Sequence, residues 1–394
     1  MRVLFIQGGS RLKFDKEGNC YTDSNFNNDV WKRYNSYFTG ELHVILRKEN
    51  KVYSNDEAKK YNFVDTSIVK LHPVPDLFKP RKNYINIKLK KLTAEIIEEQ
   101  IIQSDRVIIR SVTNFYTCTA ARLCEKYHKP YLIEVTGFGF GGMWYHGLSG
   151  KAVALPIEIH QKKIIKKAPY VLYVTRKALQ ETYPTTGKSI GCSDVELVQT
   201  TEEILNKRME ARDQSNSIII GTAAFVNVKL KGQITVIKAL SWLKSQGITN
   251  IEYQMVGAGD ARSLKLAAEK YHVQDQVKFL GAKEHSEVFD WLDSIDLYVQ
   301  PSYLEGLCRS IIEAMGRGCP VLASDVGGNF ELIDSECLFK KGNYKQLAAL
   351  LQKALEPSWR KKHSEINFIN SKEYEKQDLD SKRERFYHSF LYEL

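Results

Sequence analysis

The chain has 394 residues, 43% of them apolar, which is enough for two domains that each bury their own core. It holds no run of about eighteen uninterrupted apolar residues, which excludes a membrane-spanning helix. Lysine and arginine outnumber aspartate and glutamate by 57 to 47, and the resulting charge of +10 favours partners that carry phosphate or other anionic groups.

Short apolar runs alternate with helical patterns through the N-terminal half. Residues 3–6, 42–46, 106–110, 131–135 and 170–174 are predicted to be strands. The first is predicted as a buried strand and not a signal peptide, because glycines and charged residues follow it at once. Helices are predicted to end near Gln103 and to cover about residues 119–128. This alternation predicts a parallel sheet with helices on both faces.

Two basic clusters occur in this half of the chain. The first is spread over residues 79–91, and the second comprises Lys162, Lys163, Lys166 and Lys167. On a helical wheel the second cluster lies opposite an apolar arc formed by Ile157, Ile164, Ile165 and Ala168. Two interpretations are open: a solvated face above a core-facing stripe, or docking on an anionic membrane surface. Nucleic acid is not predicted as a partner, since no nucleic-acid-binding motif accompanies the charge.

A glycine-rich segment follows the predicted strand at 131–135. Residues 136–147 (TGFGFGGMWYHG) combine glycines with aromatic side chains and are predicted to form a loop that contacts an acceptor. Within this loop His146 either takes part in catalysis or has a structural role beside locally packed Trp144 and Tyr145.

A second series of strands and helices follows a polar stretch at residues 191–217. Its strands are predicted at 218–221, 253–256, 277–280, 297–300 and 321–324, and the series closes near Leu338. These strands predict a second doubly wound α/β domain. The last stretch, residues 374–394, is helical in pattern and rich in charge.

The seven cysteines, at positions 20, 118, 124, 192, 308, 319 and 337, are scattered along the chain. They form no CxxC pair and have no histidines at metal-ligand spacing. They are predicted to be free thiols in a reducing compartment, which indicates a cytoplasmic protein.

Two segments have the features of a diphosphate site. Residues 8–10 (Gly-Gly-Ser) follow the first predicted strand as a glycine-rich turn, which lets a backbone approach phosphate closely. Residues 305–313 (EGLCRSIIE) place Glu305 and Glu313 eight residues apart, across a loop that runs from the strand at 297–300 into a helix. The unpaired N–H groups and positive dipole at a helix N-terminus favour an anion. A ligand that carries a diphosphate is therefore predicted.

Further landmarks stand around the two glutamates in a fixed order: Lys231-Gly232, MVGAGD at 255–260, VKFLG at 277–281, DLYV at 296–299 and SDVGGNFE at 324–331. Together they resemble the E-x7-E signature and flanking motifs of retaining glycosyltransferases with the GT-B architecture, specifically glycosyltransferase family 4. The resemblance covers about residues 215–355 strongly and the N-terminal half in outline.

The resemblance implies an α/β fold with two Rossmann-like doubly wound domains that face a central cleft. Residues 1–190 are expected to form the acceptor-side domain, which the C-terminal helix at 374–394 rejoins. Residues 191–217 are expected to cross between the domains, and residues 218–373 to form the nucleotide-sugar-binding domain.

The resemblance also implies two catalytic residues. Lys231 would place its ammonium against the diphosphate and stabilise the leaving group. Glu305 would face the transferred sugar. The alternative for Lys231 is a solvated loop lysine.

Other residues are expected to hold the donor. Glu313 would accept hydrogen bonds from the ribose hydroxyls, and the backbone N–H groups of Gly306 and Leu307 would meet sugar hydroxyls or phosphate. Ser310 would either donate to the α-phosphate or cap the helix. The remaining residues expected to bind the donor are Gly9, Lys229, Gly257 and Gly281.

The chain departs from the family pattern at three places. Relatives usually carry an arginine several residues before the lysine, but residues 221–229 contain none, and Lys229 is the possible substitute. Many relatives carry a histidine directly after the strand at 131–135, where this chain has Thr136 and Gly137. Cys308 stands where glycine or proline is more usual, and no chemistry is assigned to it.

Two further motifs are interpreted as accidental. Residues 185–189 (TTGKS) end like a P-loop, but the earlier glycine that a P-loop requires is Thr182. Asp378-Leu379-Asp380 imitates the metal-binding motif of the other main glycosyltransferase architecture, but it lies in the charged C-terminal helix. Activity without a divalent ion or other cofactor is therefore predicted.

The resemblance implies a cytoplasmic, retaining hexosyltransferase, peripheral at the inner face of the cell membrane. It would move a sugar from a nucleotide diphosphate sugar, with a UDP-sugar favoured, to a lipid-linked or growing polysaccharide acceptor in bacterial capsule, exopolysaccharide or O-antigen synthesis. The alternatives are a catalytically inactive nucleotide-binding relative and a nicotinamide-dependent dehydrogenase. The dehydrogenase is disfavoured because no G-x-G-x-x-G follows the first strand.

Overall fold

The computed structural model describes residues 1–23, 26–144, 147–197, 200–210 and 217–393. The chain divides into two compact units. Unit 1 comprises Met1–Val174, Leu179–Cys192 and Ser381–Leu394, and unit 2 comprises Thr175–Ala178 and Ser193–Asp380.

Unit 1 is built on a mostly parallel sheet. Its strands are β1 Arg2–Asp15, β2 Cys20–Thr22, β3 Glu41–Tyr53, β4 Asn62–Phe63, β5 Lys70–Pro75, β6 Arg106–Arg110, β7 Tyr131–Val135, β8 Tyr170–Tyr173 and β9 Lys188–Gly191. The parallel strands follow the order β5-β3-β1-β6-β7-β8-β9, while β2 pairs antiparallel with β1, and β4 with β2. The chain therefore winds in one direction from β1 to β5 and in the other from β6 to β9, as in a doubly wound domain.

Helices connect these strands. They are α1 Asn28–Asn35, α2 Asn55–Ala58, α3 Ile87–Gln103, α4 Phe115–Lys126, α5 Gly139–Trp144, α6 Gly147–Lys167 and α7 Ala178–Thr182, with a 3-10 turn at Arg81–Ile85. The apolar arc predicted for the second basic cluster lies on α6 and at its end. Ile164, Ile165 and Ala168 are buried, Ile157 is half-buried, and the lysines are exposed. On this helix the arc therefore packs into the core of unit 1, and the lysines form a solvated face.

Unit 2 contains a fully parallel sheet. Its strands are β10 Ile218–Ala223, β11 Ile251–Val256, β12 Val277–Gly281, β13 Leu297–Gln300, β14 Val321–Ser324 and β15 Leu338–Phe339, in the order β12-β11-β10-β13-β14-β15. The winding direction reverses between β10 and β13, which places the carboxyl ends of both strands at a topological switch point. The predicted pair of doubly wound α/β domains is confirmed.

The helices of the C-terminal part are α8 Glu202–Glu210, α9 Ile234–Ser245, α10 Arg262–Lys270, α11 His285–Ser294, α12 Arg309–Gly316, α13 Tyr344–Lys353, α14 Pro357–Ser371 and α15 Lys376–Tyr392. Short 3-10 turns lie at Lys229–Lys231, Gly327–Glu331, Ser335–Cys337 and Lys372–Tyr374. Helix α8 lies within the stretch predicted to cross between the domains and belongs to unit 2. The residues of α15 are divided between the units at Ser381. Among the described helices, none combines the length and apolar character that crossing a membrane requires.

A buried carboxylate joins the C-terminal helix to the sheet of unit 1. Glu134 on β7 accepts hydrogen bonds from Tyr34 at 2.8 Å and from Tyr387 of α15 at 2.5 Å, and it pairs with Arg110 at 2.6 Å. Burial by itself would raise the pKa of Glu134, but Arg110 and the hydroxyl donors outweigh it and hold this pKa below its ordinary value. The ion pair therefore stays charged inside the unit.

The predicted glycine-rich turn at residues 8–10 is wrong. Strand β1 continues through these residues to Asp15, because β3 runs on beside it as far as Tyr53. The pairing register shifts between Ile6 and Arg11, which absorbs the irregularity. The amides of Gly9 and Ser10 donate to the side chain of Gln7 at 2.9 Å and 2.8 Å, so both already have an acceptor.

A stacked histidine pair lies between β3 and β5. The Nδ1 atom of His43 is 2.8 Å from Nε2 of His72, and the two rings are nearly parallel, with centroids 5.1 Å apart. Burial, the neighbouring His43 and the charge of Arg2 lower the pKa of His72 to about 4, from an ordinary value of 6.5. The folded state therefore favours neutral imidazoles at this place.

We expect the stability of the protein to fall as the pH drops from about 6.5 towards about 4, because unfolded His72 binds a proton in this range and folded His72 does not. The effect should be on the order of 1 kcal/mol, since partial exposure screens the charges. The variant His72→Gln should show a flatter profile of melting temperature against pH, and His160→Gln, at an exposed position of α6, should follow the wild type. Equal slopes for all three proteins would contradict this assignment.

Candidate active site

The two glutamates of the E-x7-E segment lie beyond the carboxyl end of β13, where the chain enters α12. Glu305 lies in the loop and Glu313 in the second turn of the helix, and their side chains are only 10% and 8% exposed. The helix begins at Arg309, so the unpaired N–H groups of its first turn follow the loop directly. The sequence prediction of a loop leading into a helix N-terminus is confirmed.

Glu305 is held by three donors that all reach the same oxygen, Oε1. The Lys231 ammonium lies 2.8 Å away, the Ser302 hydroxyl 2.6 Å and the Gln300 amide 3.2 Å. Gln300 also donates to Ser302 at 2.8 Å, and both of these side chains are fully buried. Because every bond goes to Oε1, the carboxylate is oriented while its second oxygen has no bond among the described residues.

The sequence analysis did not predict Gln300 and Ser302 as site residues. One feature of the sequence could have indicated Gln300: it is a polar residue at the end of an otherwise apolar buried strand. A buried amide must find hydrogen-bond partners, so such a residue indicates an internal polar network.

Lys231 and Lys229 share one 3-10 turn but differ in environment. Burial would lower the pKa of Lys231, but the charge of Glu305 and its hydrogen bond outweigh this effect and raise the pKa above its ordinary value. Lys229 is exposed, and the structure places no side-chain partner beside it among the described residues. The structure thus brings Lys231 to Glu305 and leaves Lys229 in solvent, where its predicted contact with a ligand stays a prediction.

Two glycines allow neighbouring loops to pack against the Glu305 loop. Gly232 has φ +69°, and a Cβ there would lie 1.9 Å from the carbonyl oxygen of Pro301. Gly327 has φ +55°, and a Cβ there would lie 1.9 Å from the carbonyl oxygen of Glu305. Any side chain at either position would push the Glu305 loop away, so both glycines are needed to shape it.

The remaining predicted glycines lie at the same edge of the sheet. The amide of Gly257, after β11, donates to the carbonyl of Gly281, at the end of β12, over 2.8 Å. The carbonyl of Gly306 accepts from the amide of Gly328 at 2.8 Å. Leu307, the next residue, is half-buried beside Gly328. Gly9 belongs to unit 1, while the other predicted site residues belong to unit 2.

Glu313 has a partner that the sequence did not indicate. The Nε2 atom of His285, the first residue of α11, lies 3.1 Å from Oε1 of Glu313. The His285 ring is held edge-on to Phe289, with centroids 4.9 Å apart, while its side chain remains 68% exposed. An exposed imidazole therefore covers a buried carboxylate. The contact joins residues 28 positions apart, and no local pattern marks it.

Ser310 and Cys308 have structural partners. The helix N-cap is Cys308, so the suggested capping role of Ser310 is wrong. The Ser310 hydroxyl instead donates to the Gln300 side chain at 3.3 Å. Burial raises the pKa of the Cys308 thiol to about 12, which keeps the thiol protonated and unreactive.

The predicted acceptor loop at 136–147 is largely helical. Residues 139–144 form α5 and Gly147 begins α6. The helix is stabilised at its start because the amide of Gly139 donates to the Tyr183 hydroxyl at 2.9 Å and the amide of Phe140 to Glu158 at 3.0 Å. His146 and Tyr145 lie outside the described residues.

The motifs interpreted as accidental have ordinary structural roles. Residues 188 and 189 of the P-loop-like sequence lie in β9, whereas a P-loop requires a loop that opens a helix. Asp380 lies in α15 and pairs with Lys376 at 2.8 Å. Within the described ranges, no group of three or more histidine, cysteine, aspartate or glutamate residues is arranged to hold a metal ion. Independence of metal stays a prediction.

Comparisons with known proteins identify relatives of this chain. The family described as "Glycosyl transferases group 1" matches residues 205–369. Protein CapJ of Staphylococcus aureus is 34% identical over 395 residues, which span 98% of this chain and 94% of CapJ. The amylovoran biosynthesis glycosyltransferase AmsK of Erwinia amylovora is 36% identical over 131 residues, 31% of this chain and 32% of AmsK.

The fold also has solved counterparts. The crystal structure of HepE from Anabaena in complex with UDP superposes with a TM-score of 0.65, over 98% of this chain and 99% of HepE, at 16% identity. The GT-B fold expected from the sequence motifs is confirmed.

We expect the Lys231–Glu305 pair to contribute to stability. A double-mutant cycle with Lys231→Met and Glu305→Gln should give a coupling free energy of about 1–2 kcal/mol, because the pair is mostly buried. The exposed pair Glu203–Lys207 on α8 is the matched control and should show clearly weaker coupling, measured by the same chemical denaturation. Equal coupling in both pairs would show that burial does not strengthen the contact.

Proposed function

The chain belongs to the group 1 glycosyltransferases, and we propose that it is a retaining hexosyltransferase that takes its sugar from a UDP-sugar. It acts in the synthesis of a bacterial surface polysaccharide, as the name of its relative AmsK states for amylovoran. The choice of UDP draws on HepE, whose crystal structure holds this nucleotide. Membership in this family removes the dehydrogenase alternative.

The observation that carries the proposal is the buried Glu305 with its three donors on Oε1. A carboxylate with one oxygen fixed and the other without a partner is oriented to accept a hydrogen bond from a sugar hydroxyl. Lys231, which is held charged beside it, supplies the cation for the diphosphate as negative charge develops on the leaving group. The first-turn N–H groups of α12 add further donors for the phosphates.

Glu313 is proposed to bind the ribose of the donor. Its carboxylate is 8% exposed and is engaged by His285 through Oε1. Two ribose hydroxyls can both donate to one carboxylate, which makes this residue a suitable nucleoside contact. Gly257, Gly281, Leu307 and Ser310 complete the proposed donor site, with Lys229 as the second cation. Neither a metal ion nor another cofactor takes part.

The rival function is a nucleotide-binding relative without catalysis. It is favoured by the absence of the arginine from residues 221–229 and by the exposed position of Lys229. Both functions require nucleotide binding, and only the enzyme transfers the sugar. Release of UDP from a UDP-sugar in the presence of an acceptor therefore separates the two.

The acceptor is proposed to be a lipid-linked glycan at an anionic membrane surface on the cytoplasmic side. The basic apolar segment, residues 79–92 of unit 1, has the properties that such a surface requires. Its side chains Ile85 and Ile87 are 79% and 81% exposed, and Tyr84 and Leu92 about half exposed. The segment carries six lysines and arginines and no acidic residue. Exposed apolar side chains among cations suit anionic headgroups.

We expect calorimetry to detect binding of UDP, tested beside GDP and ADP, with the same affinity in the presence of EDTA. Glu313→Ala should weaken UDP binding at least tenfold, because two hydrogen bonds to a charged group are lost. Asp290→Ala, at an exposed carboxylate of the neighbouring α11, is the control and should bind as the wild type. Unchanged binding by Glu313→Ala would remove this residue from the proposed site, and loss of binding in EDTA would contradict metal independence.

We expect the basic apolar segment to control sedimentation with anionic vesicles. The double variant Ile85→Ser, Ile87→Ser should bind vesicles of phosphatidylglycerol and phosphatidylcholine at least tenfold more weakly, because two exposed apolar side chains no longer enter the headgroup region. Val52→Ser and Leu266→Ser replace apolar residues that are 60% and 65% exposed elsewhere and should have little effect. Equal loss in all variants would exclude a specific role for the segment.

A further inference from the structure

The two motif glutamates are anchored to very different degrees. Oε1 of Glu305 accepts hydrogen bonds from three side chains, whereas Oε1 of Glu313 has a single partner among the described residues, Nε2 of His285 at 3.1 Å. In both carboxylates Oε2 has no bond within that part of the chain. The direction of the Glu313 carboxylate therefore depends on one contact, while that of Glu305 is secured three times.

The imidazole of His285 is itself held in place. His285 is the first residue of α11 and follows the N-cap Glu284, which forms a capping box with Glu287. In this box the Glu287 carboxylate accepts from the Glu284 amide at 2.8 Å, which fixes the backbone at the start of the helix. One turn further on, Phe289 meets the imidazole edge-on, with centroids 4.9 Å apart. The ring therefore has a defined position although its side chain is 68% exposed.

The contact lies at the border between the interior of unit 2 and solvent. A carboxylate only accepts hydrogen bonds, so Nε2 of His285 is the donor to Glu313. The imidazole engages Oε1 and leaves Oε2 able to accept from a ligand. Because α11 begins just after β12, His285 also lies at the carboxyl edge of the sheet, where the proposed donor site is.

We propose that His285 is a positioning residue for the ribose of the nucleotide donor. The inference rests on the proposed function, in which Glu313 accepts hydrogen bonds from the ribose hydroxyls. His285 holds Oε1 and thereby directs Oε2 to the ligand. Without this donor the carboxylate can rotate, and the ligand has to order it on binding, which weakens the affinity.

Calorimetric titration of the full chain with UDP, GDP and ADP tests this role. The three nucleotides share the ribose, so the expected changes hold for whichever of them binds. His285→Phe keeps a ring beside Phe289 but removes the donor, and it should raise the Kd about threefold to tenfold, as expected for one lost hydrogen bond to a charged group. His285→Gln carries an amide N–H that can replace Nε2 and should restore most of the affinity. Asp290→Ala, at an exposed carboxylate of α11, should bind as the wild type.

The 2′,3′-dideoxy form of the nucleotide that binds separates positioning from a general effect on the site. It lacks the hydroxyls from which Glu313 is proposed to accept. His285→Phe should therefore leave the Kd of the dideoxy nucleotide unchanged, whereas a merely structural role of His285 would weaken both ligands by the same factor. Melting temperatures of the variants exclude misfolding as the cause.

The outcomes separate this inference from the proposed function. Equal Kd values for the wild type and His285→Phe, no recovery in His285→Gln, or an equal loss with the dideoxy nucleotide overturns the positioning role. Tighter binding by His285→Phe would show that the imidazole blocks the carboxylate, which also overturns it. Each of these results leaves the proposed function intact as long as Glu313→Ala weakens binding. Binding of GDP or ADP in place of UDP would correct only the base, and absence of binding by all three nucleotides would contradict the proposed function together with this inference.

Discussion

A buried carboxylate must be compensated by cations or hydrogen-bond donors. Unit 2 therefore has to supply such groups around Glu305. The Oε1 atom of Glu305 accepts hydrogen bonds from three groups: the ammonium of Lys231 in the turn after β10, the amide of Gln300 at the end of β13, and the hydroxyl of Ser302 in the following loop. The surrounding loops can reach this position only because Gly232 and Gly327 lack side chains. The compensation also leaves the carboxylate fixed in direction, as the proposed contact with a sugar hydroxyl requires.

The parallel sheet makes this convergence possible. Strands β10 and β13 are neighbours although 73 residues, 224–296, separate the end of β10 from the start of β13, and their carboxyl ends meet where the winding reverses. Helix α12 then directs its N-terminus to the same edge. Unit 1 repeats the topology, but its strands β1 and β3 are longer and stay paired along their extensions.

Local patterns predicted much of the fold correctly. The strands at 106–110, 131–135, 297–300 and 321–324 begin and end at the predicted residues, because each is an apolar run bounded by turn or charge signals. Predictions were wrong where the local structure depends on a contact with residues far away in the sequence. The extension of β1 depends on pairing with β3, so the turn predicted at residues 8–10 does not form. Helix α5 depends on Tyr183 and Glu158, so residues 139–144 of the loop predicted at 136–147 are helical.

The sequence by itself determined the fold class and the family and predicted the candidate site residues, because ordered motifs and strand periodicity are local properties of the chain. The tertiary structure alone decided which groups contact them. It assigned Gln300 and Ser302 to Glu305, and His285 to Glu313. It also decided that the apolar arc of α6 faces the core while Ile85 and Ile87 face solvent. Both decisions depend on packing between segments far apart in the chain, which no local pattern encodes.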